Sequence, residues 1–159
     1  MEHADIPAWY AFMRLPQATG HTSWNLASAD DLRPVVDAFE SDAPSSSIGF
    51  AIEPADASRL LGAIDLHAIS PAHRTAEIGF TLDPACWGQG IATHCCRAVV
   101  EWGFASCGFV RIQAVVLESN PGSIRVLEKC GFAYEGLLRQ YRIIRGQPRD
   151  FRMYARIAG

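Results

Sequence analysis

The chain has 159 residues, of which 49% are hydrophobic and 19% are charged, and this length and composition suit one folded domain with a sizeable core. Its formal net charge of −3 gives no electrostatic reason to bind nucleic acid or an anionic membrane surface. No apolar stretch approaches the roughly 20 residues of a membrane helix, and the first residues lack the pattern of a signal peptide. We therefore expect one domain over residues 1–159, in the cytoplasm, without nucleic acid or membrane partners.

The first forty residues predict two helices. Asp5-Ile6-Pro7 is typical of a helix start, with an acidic N-cap and an early proline. A second helix is expected from about Ser28, because apolar residues recur there at helical spacing. These residues, which should form its buried face, are Leu32, Val35, Val36 and Phe39.

Three strands and a glycine loop follow. Apolar and β-branched runs predict strands at 48–52, 60–69 and 75–82. Gly88 and Gly90 then flank Gln89 directly before a helix predicted over residues 93–106. Backbone N–H groups at such a helix start can bind phosphate, although a tight turn alone would also explain the glycines. The spacing matches neither the Gly-x-Gly-x-x-Gly nor the P-loop motif.

The last fifty residues alternate strand and helix and then end in a hairpin. A strand is predicted at 111–117, a helix from Asn120 to Gly131, and paired strands at 138–144 and 151–157. Helical crossovers and hairpin connections therefore both occur, which predicts an α/β (α+β) fold with a mixed sheet. Five cysteines, without a Cys-x-x-Cys pair or a histidine cluster, predict free thiols and no metal site: Cys86, Cys95, Cys96, Cys107 and Cys130.

Three ordered blocks of this sequence resemble the GNAT superfamily of N-acetyltransferases. Ala76–Leu82 followed by Trp87–Thr93 is similar to the acetyl-CoA motif of that superfamily, and Asn120–Phe132 is similar to the second half of its cofactor site. Residues 135–154 resemble the C-terminal part of the Rim-type branch, which acetylates the N-terminal amines of ribosomal proteins. The resemblance covers residues 62–157 well and the first sixty poorly.

The resemblance implies a twisted mixed sheet in which the parallel strands 75–82 and 111–117 splay apart, with acetyl-CoA between them as co-substrate. The pyrophosphate would take backbone N–H groups of residues 88–93, and the pantetheine arm would pair with the backbone of residues 80–82. The implied cofactor-binding residues are Phe80, Thr81, Leu82, Trp87, Gly88, Gln89, Gly90, Ile91, Ala92, Thr93, Asn120 and Ser123.

The chain departs from the family pattern at three places. Trp87 stands where Arg or Gln is usual, and Leu127 stands where many members carry the tyrosine that protonates the leaving thiolate. The first predicted helix begins near residue 5, where family members have a strand ahead of it. An exposed sheet edge would favour self-association, so a homodimer is a possible assembly.

Acetyl transfer to an amine requires a neutral amine, so some group must remove a proton. Glu77 is the leading candidate for this base because its strand lines the splayed region, and a salt bridge with an arginine is the alternative explanation for it. His67 is a weaker second candidate. Ser119, Tyr141 or solvent would protonate the thiolate, although Tyr141 equally suits a packing role. Backbone N–H groups of residues 80–82 would stabilise the oxyanion.

These residues predict direct transfer from acetyl-CoA to a primary amine acceptor, without a covalent enzyme intermediate. The α-amine of a protein or peptide is the preferred acceptor, and a small-molecule amine is the rival. A CoA-binding module without catalysis is a further alternative, which the leucine at position 127 permits, and an interaction domain without a cofactor is the least favoured one. Four aromatic residues near the N-terminus fall in the region that shapes the acceptor pocket in this family, although core packing would explain most of them: Trp9, Tyr10, Phe12 and Trp24.

Overall fold

The computed structural model describes the whole chain, Met1–Gly159. Five helices, α1 to α5, span Ile6–Met13, Pro16–Thr19, Arg33–Phe39, Ile91–Cys107 and Pro121–Lys129. Six strands, β1 to β6, span Ile48–Ile52, Gly62–Ser70, Thr75–Leu82, Arg111–Leu117, Ala133–Ile144 and Gln147–Ile157. None of the helices has the length and apolarity that crossing a membrane requires.

The six strands form one mixed sheet in the order β1-β2-β3-β4-β6-β5. Only β3 and β4 run parallel, and they pair over three positions, from Thr75 opposite Arg111 to Glu77 opposite Gln113. Beyond these pairs the two strands separate. The predicted mixed sheet and the splayed parallel pair are therefore confirmed, and the point of separation lies at Glu77.

Two apolar cores lie on opposite faces of the sheet, because alternate residues of a strand point to opposite sides. On β2, Ile64 and Leu66 belong to a core of 18 buried residues that α4 and α5 cover. Ala63 faces the other way and joins a core of 8 buried residues formed with the N-terminal helices. His67 lies on the same face of β2 as Ala63, and the pairing of β2 with β3 sets Glu77 opposite His67. Glu77 therefore shares this second face.

Helices α1 and α3 lie where the sequence predicts two helices, whereas the short helix α2 was not predicted. Ser28 and Asp31 form a reciprocal capping box ahead of α3, and Leu32 and Val36 are fully buried. Asp5 takes the predicted N-cap position of α1, but its side chain does not cap that helix. Its carboxylate accepts a hydrogen bond from the backbone N–H of Glu2 and caps a preceding 3-10 turn instead.

The second half of the chain contains longer elements than the sequence predicts. Helix α4 begins at Ile91, two residues before the predicted start, because Gly90 takes the N-cap position with φ of +80°. Both strands of the C-terminal hairpin are longer than the sequence predicts. The turn between them consists of Arg145 and Gly146, both with positive φ. No strand precedes α1, and β1 and β5 form the two edges of the sheet.

Candidate functional site

Two cavities, of about 450 and 500 Å³, meet where β3 and β4 separate. The first lies between the sheet and the N-terminal helices and contains Glu77, and we call it the acceptor-side cavity. The second lies beside the glycine loop and the start of α5, and we call it the donor-side cavity. The residues that line both cavities are His21, Thr22, Phe80, Thr81, Asn120 and Ser123.

The glycine loop gives the donor-side cavity the features of an anion site. Gly88 and Gly90 have φ of +76° and +80°, and a Cβ at either position would meet no atom within 4 Å. The first turn of α4 has no side-chain cap and no acidic residue, so the N–H groups of residues 91–93 are not occupied by side chains. Oriented donors at the positive end of a 17-residue helix suit a pyrophosphate.

Helix α5 adds charge and structure to the same cavity. Arg125 and Lys129 line it and supply positive side chains for a polyanionic ligand. Asn120 caps α5 by accepting a hydrogen bond from the Ser123 N–H at 3.0 Å, and its amide nitrogen donates to the His21 carbonyl at 3.3 Å. Asn120 therefore caps the start of α5 and also holds the segment that contains His21, on the opposite side of the cavity.

Trp87 stands where Arg or Gln is usual in the resembling family, and its side chain bonds the protein backbone. Its indole N–H donates to the Leu82 carbonyl at 2.9 Å, and its ring lies 5.9 Å from the His21 ring. One carbonyl at the end of β3 is thus already bonded. The rest of this edge, from Ile78 onward, has no β4 partner and is open to an extended ligand.

Glu77 occupies the narrow end of the acceptor-side cavity and is the one buried charged residue of the chain. Its carboxylate accepts hydrogen bonds from Arg142 Nη2 at 3.2 Å and from Gln113 Nε2 at 3.4 Å. His67 Nε2 lies 3.3 Å from the same Oε1 atom that Arg142 contacts. The salt bridge with an arginine, which the sequence left open as the alternative, is present, and the role of Glu77 as the base stays a prediction.

These contacts determine the protonation of Glu77. Burial favours the neutral acid, but the hydrogen bond and positive charge of His67, the Gln113 donor and the charge of Arg142 outweigh burial. The pKa of Glu77 is therefore lowered from its ordinary value. The carboxylate is ionised at neutral pH and can accept a proton.

His67 is held between two carboxylates. Its Nδ1 lies 2.6 Å from Asp65 Oδ2 and its Nε2 lies 3.3 Å from Glu77 Oε1. Burial lowers the pKa of His67, but the hydrogen bonds and charges of Asp65 and Glu77 outweigh burial and raise it to about 9. At neutral pH the imidazole is positively charged, with both N–H groups donating.

The structure brings most of the predicted site residues to the two cavities. Every predicted cofactor-binding residue lines the donor-side cavity except Gln89, which is exposed and donates to the Ala85 carbonyl at 3.2 Å. Ser119 is exposed and lines neither cavity. Tyr141 also lies outside both cavities and packs edge-on against Phe151. The suggested roles of Ser119 and Tyr141 as acids therefore gain no support from position.

Several residues of the site were missed from the sequence. Arg142 and Gln113 reach Glu77 from strands that are far from it in sequence, and no local pattern connects them to it. Asp65 had a detectable signal, because it alternates with His67 on a strand and so shares its face.

Of the N-terminal aromatic residues, Trp9 and Trp24 line the acceptor-side cavity, and Trp9 Nε1 donates to Thr81 Oγ1 at 3.0 Å.

The splayed sheet with its glycine-capped helix is the arrangement expected of an N-acetyltransferase that uses acyl-CoA, and comparisons give the family. Residues 1–133 match the family described as Acetyltransferase (GNAT) domain. The chain belongs to this family, whose members use acetyl-CoA as the acetyl donor, and the resemblance in its motifs is thereby confirmed.

The similar proteins differ in the acceptors that their names give. The uncharacterized N-acetyltransferase YoaA of Bacillus subtilis is 43% identical over 108 residues, which are 68% of this chain and 61% of that protein. The ribosomal-protein-serine acetyltransferase of Escherichia coli is 35% identical over 99 residues, 62% of this chain and 55% of that protein. The matched region thus spans about three fifths of the relatives' length.

The fold is also shared with solved structures. The spermidine N-acetyltransferase of Vibrio cholerae, in complex with CoA and spermine, superposes with a TM-score of 0.85 at 23% identity. The superposition covers 99% of this chain and 92% of that one. At this identity the likeness establishes the fold alone.

Proposed function

We propose that this protein transfers the acetyl group of acetyl-CoA to a primary amine, by direct attack of the amine nitrogen on the thioester carbonyl. The observation that carries the proposal is the meeting of the two cavities at Phe80 and Thr81, with the ionised Glu77 carboxylate on the acceptor side. Glu77 takes one proton from the ammonium to give the neutral amine. After attack the nitrogen loses its second proton to solvent, and the C–S bond breaks as the amide forms. With Leu127 buried in the core, the released thiolate takes its proton from solvent.

The donor side of this proposal depends on the glycine loop. The N–H groups of residues 88–93, with Arg125 and Lys129, hold the pyrophosphate, and the open edge of β3 from Phe80 to Leu82 receives the pantetheine arm. Asn120 and Ser123 line the opposite wall of this channel. Trp87 contributes by bonding the Leu82 carbonyl, so the arm makes its contacts at the preceding residues.

The charge balance of the acceptor-side cavity favours a peptide or protein α-amine. Its two carboxylates, Asp65 and Glu77, are both paired, with His67 and with Arg142. A polyamine carries several positive charges and needs carboxylates that are free to pair with them. An α-amine has a pKa near 8, against about 10 for an alkylamine, so a weakly basic carboxylate suits it better.

The test measures CoA formation by chromatography, because the five free cysteines would react with thiol reagents. Hexapeptides beginning with serine or alanine are compared with spermidine as acceptors. Glu77→Gln should lower peptide-dependent kcat by about 100-fold or more, whereas Glu118→Gln, at an exposed ion pair with Arg152, should leave it unchanged. Tight acetyl-CoA binding without turnover on any acceptor would instead support a CoA-binding module, and turnover with spermidine alone would identify a polyamine enzyme.

A further inference from the structure

The side chains of Asp65, His67 and Glu77 form one continuous polar chain on the acceptor-side face of the sheet. Strands β2 and β3 pair with His67 opposite Glu77 and Asp65 opposite Gly79. Because Gly79 has no side chain, Asp65 and His67 occupy the space above it. The contacts of 2.6 Å and 3.3 Å make the chain unbroken from Asp65 to Glu77.

Solvent exposure is higher at His67 than at Glu77 or Asp65. The Glu77 side chain is 8% exposed and the His67 side chain is 35% exposed. Glu77 therefore has little direct access to water, whereas the imidazole that contacts it reaches the surface. A proton on Glu77 therefore has a hydrogen-bonded route to solvent through the imidazole of His67.

The proposed reaction requires such a route. An ammonium acceptor and acetyl-CoA yield a neutral amide and a thiol, so each turnover releases one net proton. If Glu77 accepts this proton, it must lose it before the next turnover. A buried carboxylate that stays protonated would stop the cycle after one round.

We propose that His67 is the proton relay of this site, passing the proton from Glu77 to solvent, and that Asp65 is a positioning residue for its imidazole. This proposal rests on the proposed function, since it takes Glu77 as the base. The remaining titratable or charged groups that line the cavity are Arg142, from β5, and His21, from the segment before α3. Arg142 contacts Glu77 directly and stays charged throughout, so it cannot release a proton.

The relay works through the coupling between the two charges. While Glu77 is ionised, it stabilises the imidazolium, which has a pKa of about 9. When Glu77 accepts the amine proton, that stabilisation is lost and the imidazolium releases its Nε2 proton to water, while Nδ1–H stays hydrogen-bonded to Asp65. The neutral Nε2 atom then takes the proton from Glu77 Oε1, which restores the original ion pair. One proton enters at Glu77 and one leaves at His67.

Three variants separate a relay from a structural role. In His67→Gln the amide still donates to Glu77 but cannot carry a proton, and kcat with the active hexapeptide should fall at least 10-fold. In His67→Ala the loss should be reversed by added imidazole, with rescue that depends on the pKa of substituted imidazoles. His73→Gln, at an exposed histidine in the β2–β3 turn, serves as the control and should behave as wild type.

A second measurement does not depend on finding an acceptor. NMR titration of His67 in the intact protein should give a pKa that falls by at least one unit in Glu77→Gln. An unchanged value, or a His67→Gln enzyme with wild-type kcat, would overturn the relay while leaving Glu77 as the base intact. If Glu77→Gln retains full activity, the proposed base fails as well, so the two failures are distinguishable.

Discussion

At the scale of single residues, the acceptor-side cavity depends on the absence of a side chain at Gly79. A Cβ built there would lie 3.0 Å from Asp65 Oδ1 and 3.3 Å from His67 Cε1. Both distances are shorter than ordinary van der Waals contacts, so Asp65 and His67 would have to move. Glycine at this position is therefore a requirement of the site as well as of the strand.

Gly79→Ala should lower kcat about 10-fold, because it displaces His67 from Glu77, while acetyl-CoA binding stays within twofold of wild type. Steady-state kinetics with the active peptide and calorimetry with acetyl-CoA make the comparison. Gly20→Ala is the control, since its Cβ would meet no atom closer than 3.6 Å. Equal losses of donor binding and kcat would show instead that the strand as a whole had shifted.

The charged state of His67 also predicts how stability depends on pH. The folded-state pKa of about 9 exceeds the unfolded value of 6.5, so this group stabilises the fold fully below pH 6.5. That contribution is lost as the pH rises through about 9. Urea unfolding at pH 6 and pH 10 should therefore show a drop for wild type that His67→Gln lacks. We expect a difference of about 1 kcal/mol, because the side chain is 35% exposed and solvent screens its charges.

At the scale of elements, helix α4 has the proposed donor site at one end and a matched control position at the other. Gly90 precedes the helix with φ of +80°, and Gly108 ends it with φ of +68°. Neither position has an atom within 4 Å of a built Cβ. Alanine at either position therefore costs only backbone strain, about 1 kcal/mol.

Gly90→Ala should weaken acetyl-CoA binding by at least 10-fold, since its methyl group would project towards the helix N-terminus where the pyrophosphate is proposed to bind. Gly108→Ala should lose the same unfolding free energy and keep wild-type affinity. Calorimetry and urea unfolding of both variants provide the test. Equal affinities would refute the placement of the phosphates at this loop.

Most elements of this fold could be predicted because each of them has a local cause, whereas the short helix α2 was missed. Proline and glycine at helix ends, Asn120 as an N-cap, and apolar periodicity placed α3, α4 and α5 within a few residues. The extra length of β5 and β6 was not predictable, because polar residues such as those at 147–150 join the hairpin only through pairing with the other strand. The same limit applies to Arg142, whose partner Glu77 lies 65 positions away in sequence.

At the scale of the molecule, the sheet separates a large core from a small one. The core under α4 and α5 contains 18 buried residues, and the core under α1 and α3 contains 8. The smaller core, together with the segment at residues 19–24, covers the acceptor-side cavity. This segment accepts hydrogen bonds from the side chains of Asn120, Arg142 and Arg145. We expect this layer to open at a lower free energy than the rest.

Hydrogen exchange followed by mass spectrometry should show faster exchange in α1 and α3 than in α4 and β4. Val36→Ala, at a fully buried position, should remove about 2 kcal/mol and accelerate exchange in α1 and α3 alone. Val100→Ala, also fully buried but on α4, is the matched variant for the larger core. Uniform acceleration by Val36→Ala would mean that the two layers unfold as one unit.

The two cavities share six lining residues but draw most of their remaining walls from different parts of the chain. The loop at 86–93 and α5 serve one cavity, while α3, β2 and the C-terminal hairpin serve the other. Inherited changes in α3, β2 or the C-terminal hairpin can thus alter which amine is accepted while leaving the proposed acetyl-CoA site unchanged. Such a division allows duplicated genes to diverge towards new acceptors in single steps, each descendant keeping a working half from its ancestor.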